Sequence, residues 1–223
     1  MPVGPPATDL NMSLHANEKF AAAVASLPLV AILRGLRPDE ALDIGRVLVD
    51  AGWSLIEVPL NSPGSLQSIE ILAQAFPEAL VGAGTVLTPA AARDVHAAGG
   101  RMIVAPNFNA AVVDETVRLG MAAVPGVLSA TEAFAALAAG AAALKLFPAE
   151  MIPPAAVQAL RAVLDPRTLL LPVGGIALDN MAAYRAAGAS GFGIGSSLYK
   201  PGTSAAAVGD SARRWASRFR APV

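Results

Sequence analysis

The stretch 168–197, TLLLPVGGIALDNMAAYRAAGASGFGIGSS, holds one full structural period of the chain. Thr168–Pro172 is a short apolar run of strand composition, broken by Gly174-Gly175. An amphipathic segment opens at Leu178 or Asp179 and stops at Gly188, and a second run, Gly191–Ile194, ends in Gly195-Ser196-Ser197. Strand, helix and strand in this order form a βαβ unit, whose two strands run parallel because the helix carries the chain back.

Reading outward, the same alternation recurs from residue 29 onward. The other strands read as Leu29–Leu33, Ser54–Val58, Leu80–Ala83, Met102–Ala105, Ala122–Val124 and Ala143–Phe147, making eight with starts roughly 20 to 26 residues apart. That spacing accommodates one strand, one three-turn helix and two short loops. Helix boundaries agree: Pro38-Asp39-Glu40 opens a helix closed by Ala51-Gly52, and Thr88-Pro89 opens one ended by Gly99-Gly100. Ser129 caps a helix ended by Gly140, and Pro153-Pro154 begins one that stops before Pro166. Even spacing, and no Gly-x-Gly-x-x-Gly turn after the first strand, favour a closed TIM (β/α)8 barrel over an open doubly wound sheet. Residues 17–223 are expected to form this single α/β domain, with an extra helix, Asn17–Leu27, covering the barrel bottom, and residues 1–16 to form a flexible leader.

Composition narrows the functional classes. With 54% hydrophobic and 15% charged residues the 223-residue chain supplies a large core and is too apolar to be disordered. Sixteen Lys plus Arg against seventeen Asp plus Glu, net −1, remove the electrostatic case for nucleic acid or an anionic membrane. The absence of cysteine excludes disulfides, thiolate nucleophiles and cysteine-held zinc, and two histidines, His15 and His96, are too few for a histidine-rich metal site. The longest uncharged apolar stretch, Ala133–Leu144, is well short of the roughly 18 residues that a membrane span requires. The N-terminus has no secretion pattern, so the cytoplasm is the expected compartment.

In such barrels the carboxyl ends of the strands build the site. There the chain places Arg34, Glu57 and Asn61, Thr85, Pro106-Asn107, Lys145, Val173 with Gly174-Gly175, and Gly195-Ser196-Ser197. Lys145, in Ala-Ala-Leu-Lys-Leu-Phe-Pro, is the one strand lysine among three in the chain, with Lys19 and Lys200 elsewhere. Apolar surroundings lower an ammonium's pKa until a free amine can attack a carbonyl; the alternative is a lysine that ties the barrel together by an ion pair. Glu57, the one acidic residue in any strand, suits proton transfer or a counter-ion role to Arg34 or Lys145. Arg34 suits a carboxylate or phosphate ligand, or balances Glu57. The Gly174-Gly175 and Gly195-Ser196 pairs offer bare amides to a phosphate. His96, beside Arg93 and Asp94, reads as part of a solvated helix face.

Ala-Ile-Leu-Arg-Gly at 31–35, Glu-Val-Pro-Leu-Asn-Ser-Pro at 57–63, Gly-Ala-Gly-Thr-Val at 82–86, Pro-Gly at 125–126, Leu-Lys-Leu-Phe-Pro at 144–148 and Val-Gly-Gly at 173–175 stand in one order. Through them the chain resembles the class I 2-dehydro-3-deoxy-phosphogluconate and phosphogalactonate aldolase family, from about Leu29 to Gly202. The resemblance implies Lys145 as the Schiff-base lysine, Glu57 as general acid/base, Arg34 as a substrate-binding arginine and Thr85 as a contact for the pyruvyl end. It also implies Gly174, Gly175, Gly195 and Ser196 as the phosphate cradle, a homotrimer, and a reaction that uses no metal or cofactor. Pro59-Leu60-Asn61, where the gluconate branch has Thr-Leu-Arg, and Val173, where it has threonine, are similar to the galactonate branch. That branch implies a phosphorylated 2-keto-3-deoxy sugar acid, 2-dehydro-3-deoxy-6-phosphogalactonate, cleaved to pyruvate and glyceraldehyde 3-phosphate. The gluconate epimer, dual use, a phosphosugar epimerase or isomerase, and a non-catalytic phosphate-binding barrel are the alternatives.

Overall fold

The computed structural model describes residues 18–221; the leader 1–16 and Asn17 lie outside the described residues. Its strands are β1 (Leu29–Ile32), β2 (Leu55–Pro59), β3 (Leu80–Gly84), β4 (Met102–Val104), β5 (Ala122–Val124), β6 (Gly126–Val127), β7 (Leu144–Leu146), β8 (Leu170–Pro172) and β9 (Phe192–Ile194). A helix over 18–26, α1, precedes them. Between and after them lie α2 (Pro38–Asp50), α3 (Ser65–Ala75), α4 (Pro89–Ala97), α5 (Ala110–Arg118), α6 (Ala130–Ala138), α7 (Pro154–Val163), α8 (Met181–Ala186) and α9 (Ala205–Arg220). None of the helices among the described residues is long and apolar enough to cross a membrane.

The caps are the expected ones. Thr88 Oγ1 accepts the Ala91 N–H at 3.2 Å, and Ser129 with Glu132 forms a reciprocal capping box at the start of α6. Gly140, at φ 95°, reverses the chain after α6, where a side chain would be strained. The start of α8 differs from the expectation at Leu178 or Asp179. Asn180 accepts the Ala177 N–H and donates to the Gly175 carbonyl, so this turn is held by a side chain and the helix begins only at Met181.

All strand pairs are parallel. One sheet has the order β5-β4-β3-β2-β1-β9 and the other β6-β7-β8. The fifth expected strand is thus two segments. Pro125 separates β5 from β6, and because proline has no N–H the ladder is interrupted there and resumes at Gly126, paired with Lys145. At the other junction an isolated parallel bridge joins Val173 to Gly193.

Burial divides the strand residues by alternation. Leu29, Ala31, Ile56, Val58, Val81, Ile103, Leu144, Leu146 and Phe192 pack against the helices in the larger core cluster. Val30, Leu55, Leu80, Met102, Val104, Ala122, Val124 and Leu171, from both sheets, form a second cluster together with Phe20 and Val24 of α1. The amphipathic α1 therefore closes the amino-terminal end of the inward strand face with two apolar side chains. Phe20 is 1% exposed, and Phe20→Ala is expected to cost about 3–5 kcal/mol of unfolding free energy. Urea denaturation checks this, with a lower midpoint at unchanged slope as the expected result.

Candidate active site

The same alternation that buries Val30, Leu55, Ala143 and Leu171 at one end turns Ile32, Glu57, Lys145 and Val173 inward one step further along the strands. Register aligns them: Ile32 with Glu57, Glu57 with Gly82, and Lys145 between Gly126 and Leu171. Glu57 is 2% and Lys145 6% exposed, and both line a small cavity of about 10 Å³ walled by Ile32, Val104, Val124, Leu171, Val173 and Gly193. Room for the carboxylate comes from β3, where a Cβ on Gly84 would stand 2.5 Å from Glu57 Oε1. Glu57 Oε2 is buried with no hydrogen-bond partner, an unmet acceptor facing the interior.

Electrostatics follow from this placement. Burial pushes the Lys145 amine below the usual lysine range; the Glu57 charge opposes the shift and the Arg34 charge adds to it. Burial likewise pushes Glu57 up, opposed by Lys145 and Arg34. The Lys145 Nζ stands 4.6 Å from the centre of the Phe147 ring, two residues on and on the same strand face. The site thus holds an amine biased toward its free-base form beside a carboxyl of raised basicity.

Above this floor opens a cleft of about 330 Å³, and Ile32, Val173 and Gly193 belong to the walls of both spaces. Its lining gathers Arg34, Val173, Gly174, Gly175, Gly195 and Ser196 from the sequence reading. Gly174 and Gly175 take φ of 103° and 62°, and the Glu150 carboxylate lies against Gly174 where a Cβ would be. Arg34 is exposed at the rim and makes no ion pair with Glu57, so it is not the buried counter-ion. The Gly35 N–H that follows it donates to Ser62 Oγ at 2.8 Å.

Asn61, Thr85 and Pro106 line neither space. Asn61 is exposed after β2, and Pro106 is half-buried after β4 with its carbonyl packed on Gly126. Thr85 follows β3 at φ 59°, a left-handed conformation that costs a β-branched residue about 1–3 kcal/mol and concentrates at functional sites. The cleft wall also holds Ser197, which the sequence reading placed at the end of the last strand, and Phe147, Ile176, Tyr199, Lys200 and Pro201, which it missed. Strand alternation from Lys145 would have found Phe147, and proximity to Gly195 would have found Tyr199 and Lys200. His96, expected on a solvated face, is half-buried with Nε2 unpartnered; burial, then Arg101 and Arg118, lower its pKa. Among the described residues no group of three or more His, Asp or Glu is placed to hold a metal ion.

Comparison with known proteins returns one pattern. The family described as KDPG and KHG aldolase matches residues 21–210. The chain is 48% identical over 182 residues to a probable 2-dehydro-3-deoxy-6-phosphogalactonate aldolase of Rhizobium meliloti, covering 81% of this chain and 86% of that one. It is 43% identical over 198 residues to the 2-dehydro-3-deoxy-6-phosphogalactonate aldolase of Escherichia coli, covering 88% and 97%. A solved structure, "Native KDPGal structure", superposes with a TM-score of 0.85 at 43% identity over 87% of this chain and 95% of that one.

Because the Arg34 charge lowers the Lys145 pKa, Arg34→Met is expected to move the Lys145 titration to higher pH and Glu57→Gln, which removes the opposing charge, to lower pH. The pH dependence of Lys145 modification by an amine reagent, followed by peptide mass spectrometry, checks both signs.

Proposed function

The chain belongs to the KDPG and KHG aldolase family, and from that premise we propose that it cleaves 2-dehydro-3-deoxy-6-phospho-D-galactonate to pyruvate and D-glyceraldehyde 3-phosphate. It is a class I aldolase, a carbon-carbon lyase. The observation that carries the mechanism is a buried Lys145 of lowered pKa facing a buried Glu57 of raised pKa, under a cleft rimmed by glycine amides.

The neutral Lys145 amine adds to the C2 ketone and water leaves, giving an imine whose protonated form withdraws electrons from C3. Glu57 takes the proton of the C4 hydroxyl; the C4–O electrons form the aldehyde as the C3–C4 pair moves into the imine, leaving an enamine. Proton return from Glu57 to C3 gives the pyruvyl imine, and water releases pyruvate and restores the amine. A carboxyl of raised pKa suits both directions of this transfer, and the unmet Glu57 Oε2 is the acceptor free to make it. The strained Thr85 at the adjacent strand end supports its reading as the contact for the pyruvyl end. Gly174, Gly175, Gly195 and Ser196 are the proposed phosphate cradle, Arg34 a substrate-binding residue, and Val173 the wall that favours the galactonate epimer. Asn61 and Pro106 remain proposed neighbours of the substrate.

We read the two sheets as one eight-unit TIM barrel with α1 as its extra helix. This rests on the continuity of β5 into β6 across Pro125, on the Val173–Gly193 bridge, and on an inner cluster drawn from both sheets. The domain reading, 17–223 with 1–16 as leader, goes with it. A homotrimer is the proposed assembly; exposed Leu128, Phe134 and Met151 provide apolar surface for contacts, and light scattering tests it. The cytoplasm is the proposed compartment, since the charge of a phosphorylated sugar acid confines it there.

Borohydride reduction in the presence of pyruvate is expected to label Lys145 and neither Lys19 nor Lys200, with Lys145→Met losing all but a trace of cleavage. A label elsewhere, or none, removes the imine route. Gly84→Ala, which displaces the Glu57 carboxylate, is expected to lower kcat at least about 100-fold while the protein stays folded, as circular dichroism would verify. Val173→Thr is expected to raise the gluconate-to-galactonate ratio of kcat/KM by about 10-fold, measured with both epimers side by side.

A further inference from the structure

The cleft wall carries two charged side chains, and both are positive: Arg34, after β1, and Lys200, after β9. Lys200 is exposed at the rim and, among the described residues, makes no ion pair or hydrogen bond through its side chain. An unpaired ammonium is ordinary on a surface, but this one belongs to a segment held in place from two directions. The preceding Tyr199 is buried and donates its hydroxyl proton to Glu40 Oε2 of α2 at 3.1 Å; burial and the Glu40 carboxylate push its pKa up to about 12, so it stays a donor at neutral pH. The following Pro201 packs on Gly35 so closely that a Cβ on Gly35 would stand 2.6 Å from Pro201 Cγ. Gly35 is the residue after Arg34. The residues that follow the two cations in sequence are therefore in contact, and the contact fixes the distance between the two attachment points.

We infer that Lys200 is a substrate-binding residue that, together with Arg34, grips the phosphate group from the outer rim, while the amides of Gly174-Gly175 and Gly195-Ser196 hold it from the inner side. The inference rests on the aldolase reading for the substrate and deepens it. Of the two anionic groups of that substrate, the carboxylate is bonded to the carbon that Lys145 attacks and must stay near the floor. The phosphate at C6 lies at the other end of the chain, where the rim is. Two cations match a dianionic phosphate better than one, and a lysine on a restrained backbone supplies a point charge without the planar fork that a carboxylate partner would favour. Tyr199 and Glu40 act through Lys200 as positioning residues.

The test compares wild type, Lys200→Met and Lys200→Arg in three measurements: steady-state cleavage, calorimetric binding of inorganic phosphate, and borohydride trapping of pyruvate. Lys200→Met is expected to raise KM for the phosphorylated substrate and the Kd of inorganic phosphate by roughly 10- to 100-fold, and Lys200→Arg to recover most of both. Trapping of pyruvate on Lys145 is expected to match wild type in both variants, because pyruvate has no phosphate. Unchanged phosphate affinity in Lys200→Met overturns the assignment, as does an equal fall in pyruvate trapping, which would mean a displaced loop. If wild type traps no pyruvate, the aldolase reading fails; phosphate binding then still decides the role of Lys200.

Discussion

Everything in this site depends on keeping one lysine and one glutamate out of water on the inward face of a parallel sheet. Either charge alone in that position would be costly, and the pair together is still short of hydrogen-bond partners, since Glu57 Oε2 has none. The system responds by moving protons: burial drives the amine toward its neutral form and the carboxyl toward its acid. A cost to folding is thereby turned toward the two properties that the proposed imine chemistry needs, a nucleophilic amine and a carboxyl of raised basicity that can accept and return a proton. The glycines of β3 make the arrangement sterically feasible, because any side chain at Gly84 would occupy the place of the carboxylate.

The strands are graded along their length to support this. At their amino-terminal ends the inward residues are Val30, Leu55, Leu80 and Leu171, sealed by Phe20 and Val24. One pair of residues further on come Ile32, Glu57, Lys145 and Val173, and beyond them the glycines and exposed Arg34. Polarity thus rises from the floor toward the open cleft, and on the proposed mechanism the reacting atoms sit at the boundary between a dry plug and a wet cleft. There the local dielectric is low enough to shift the two pKa values while the cleft stays open to a polar ligand.

How much of this could be read from the chain varies with the kind of interaction. The strand centres were legible because each is a short apolar run, and the helix starts at Pro89, Ala130 and Pro154 because capping and proline chemistry are local. Lys145 and Glu57 stood out because a charge inside an apolar strand has no local explanation. The features that were missed depend on contacts distant in sequence. Pro125 splits a ladder only in the presence of partner strands, and α8 is shortened by an Asn180 side chain that reaches back to Gly175. Tyr199 and Lys200 join the cleft through Glu40 and Gly35, about 160 residues earlier. His96 is drawn inward because its helix packs beside α5, a relation that its own neighbours in sequence do not encode.

On the proposed reading of Val173, little chemistry separates two epimeric substrates. Val173 is almost wholly buried and lies against Gly193, where an added Cβ would stand 2.7 Å from its Cγ2, so its orientation is fixed by the backbone of the next strand. Valine and threonine have nearly the same shape, and the difference between them is whether a substrate hydroxyl directed at this wall finds a hydrogen-bond partner. In an apolar floor an unpaired hydroxyl costs about 1–3 kcal/mol, which corresponds to a preference of roughly 10- to 200-fold. On the proposed reading, valine discriminates by withholding a partner from one epimer, with no steric barrier to it. The proposed imine chemistry at Lys145, on the strand paired with β8, depends on that hydroxyl's configuration only through the reach of Glu57. If the proposed roles hold, substrate preference and catalytic competence are carried by different side chains of one small cavity, Val173 for the first and Lys145 with Glu57 for the second, so the first can change without disturbing the second.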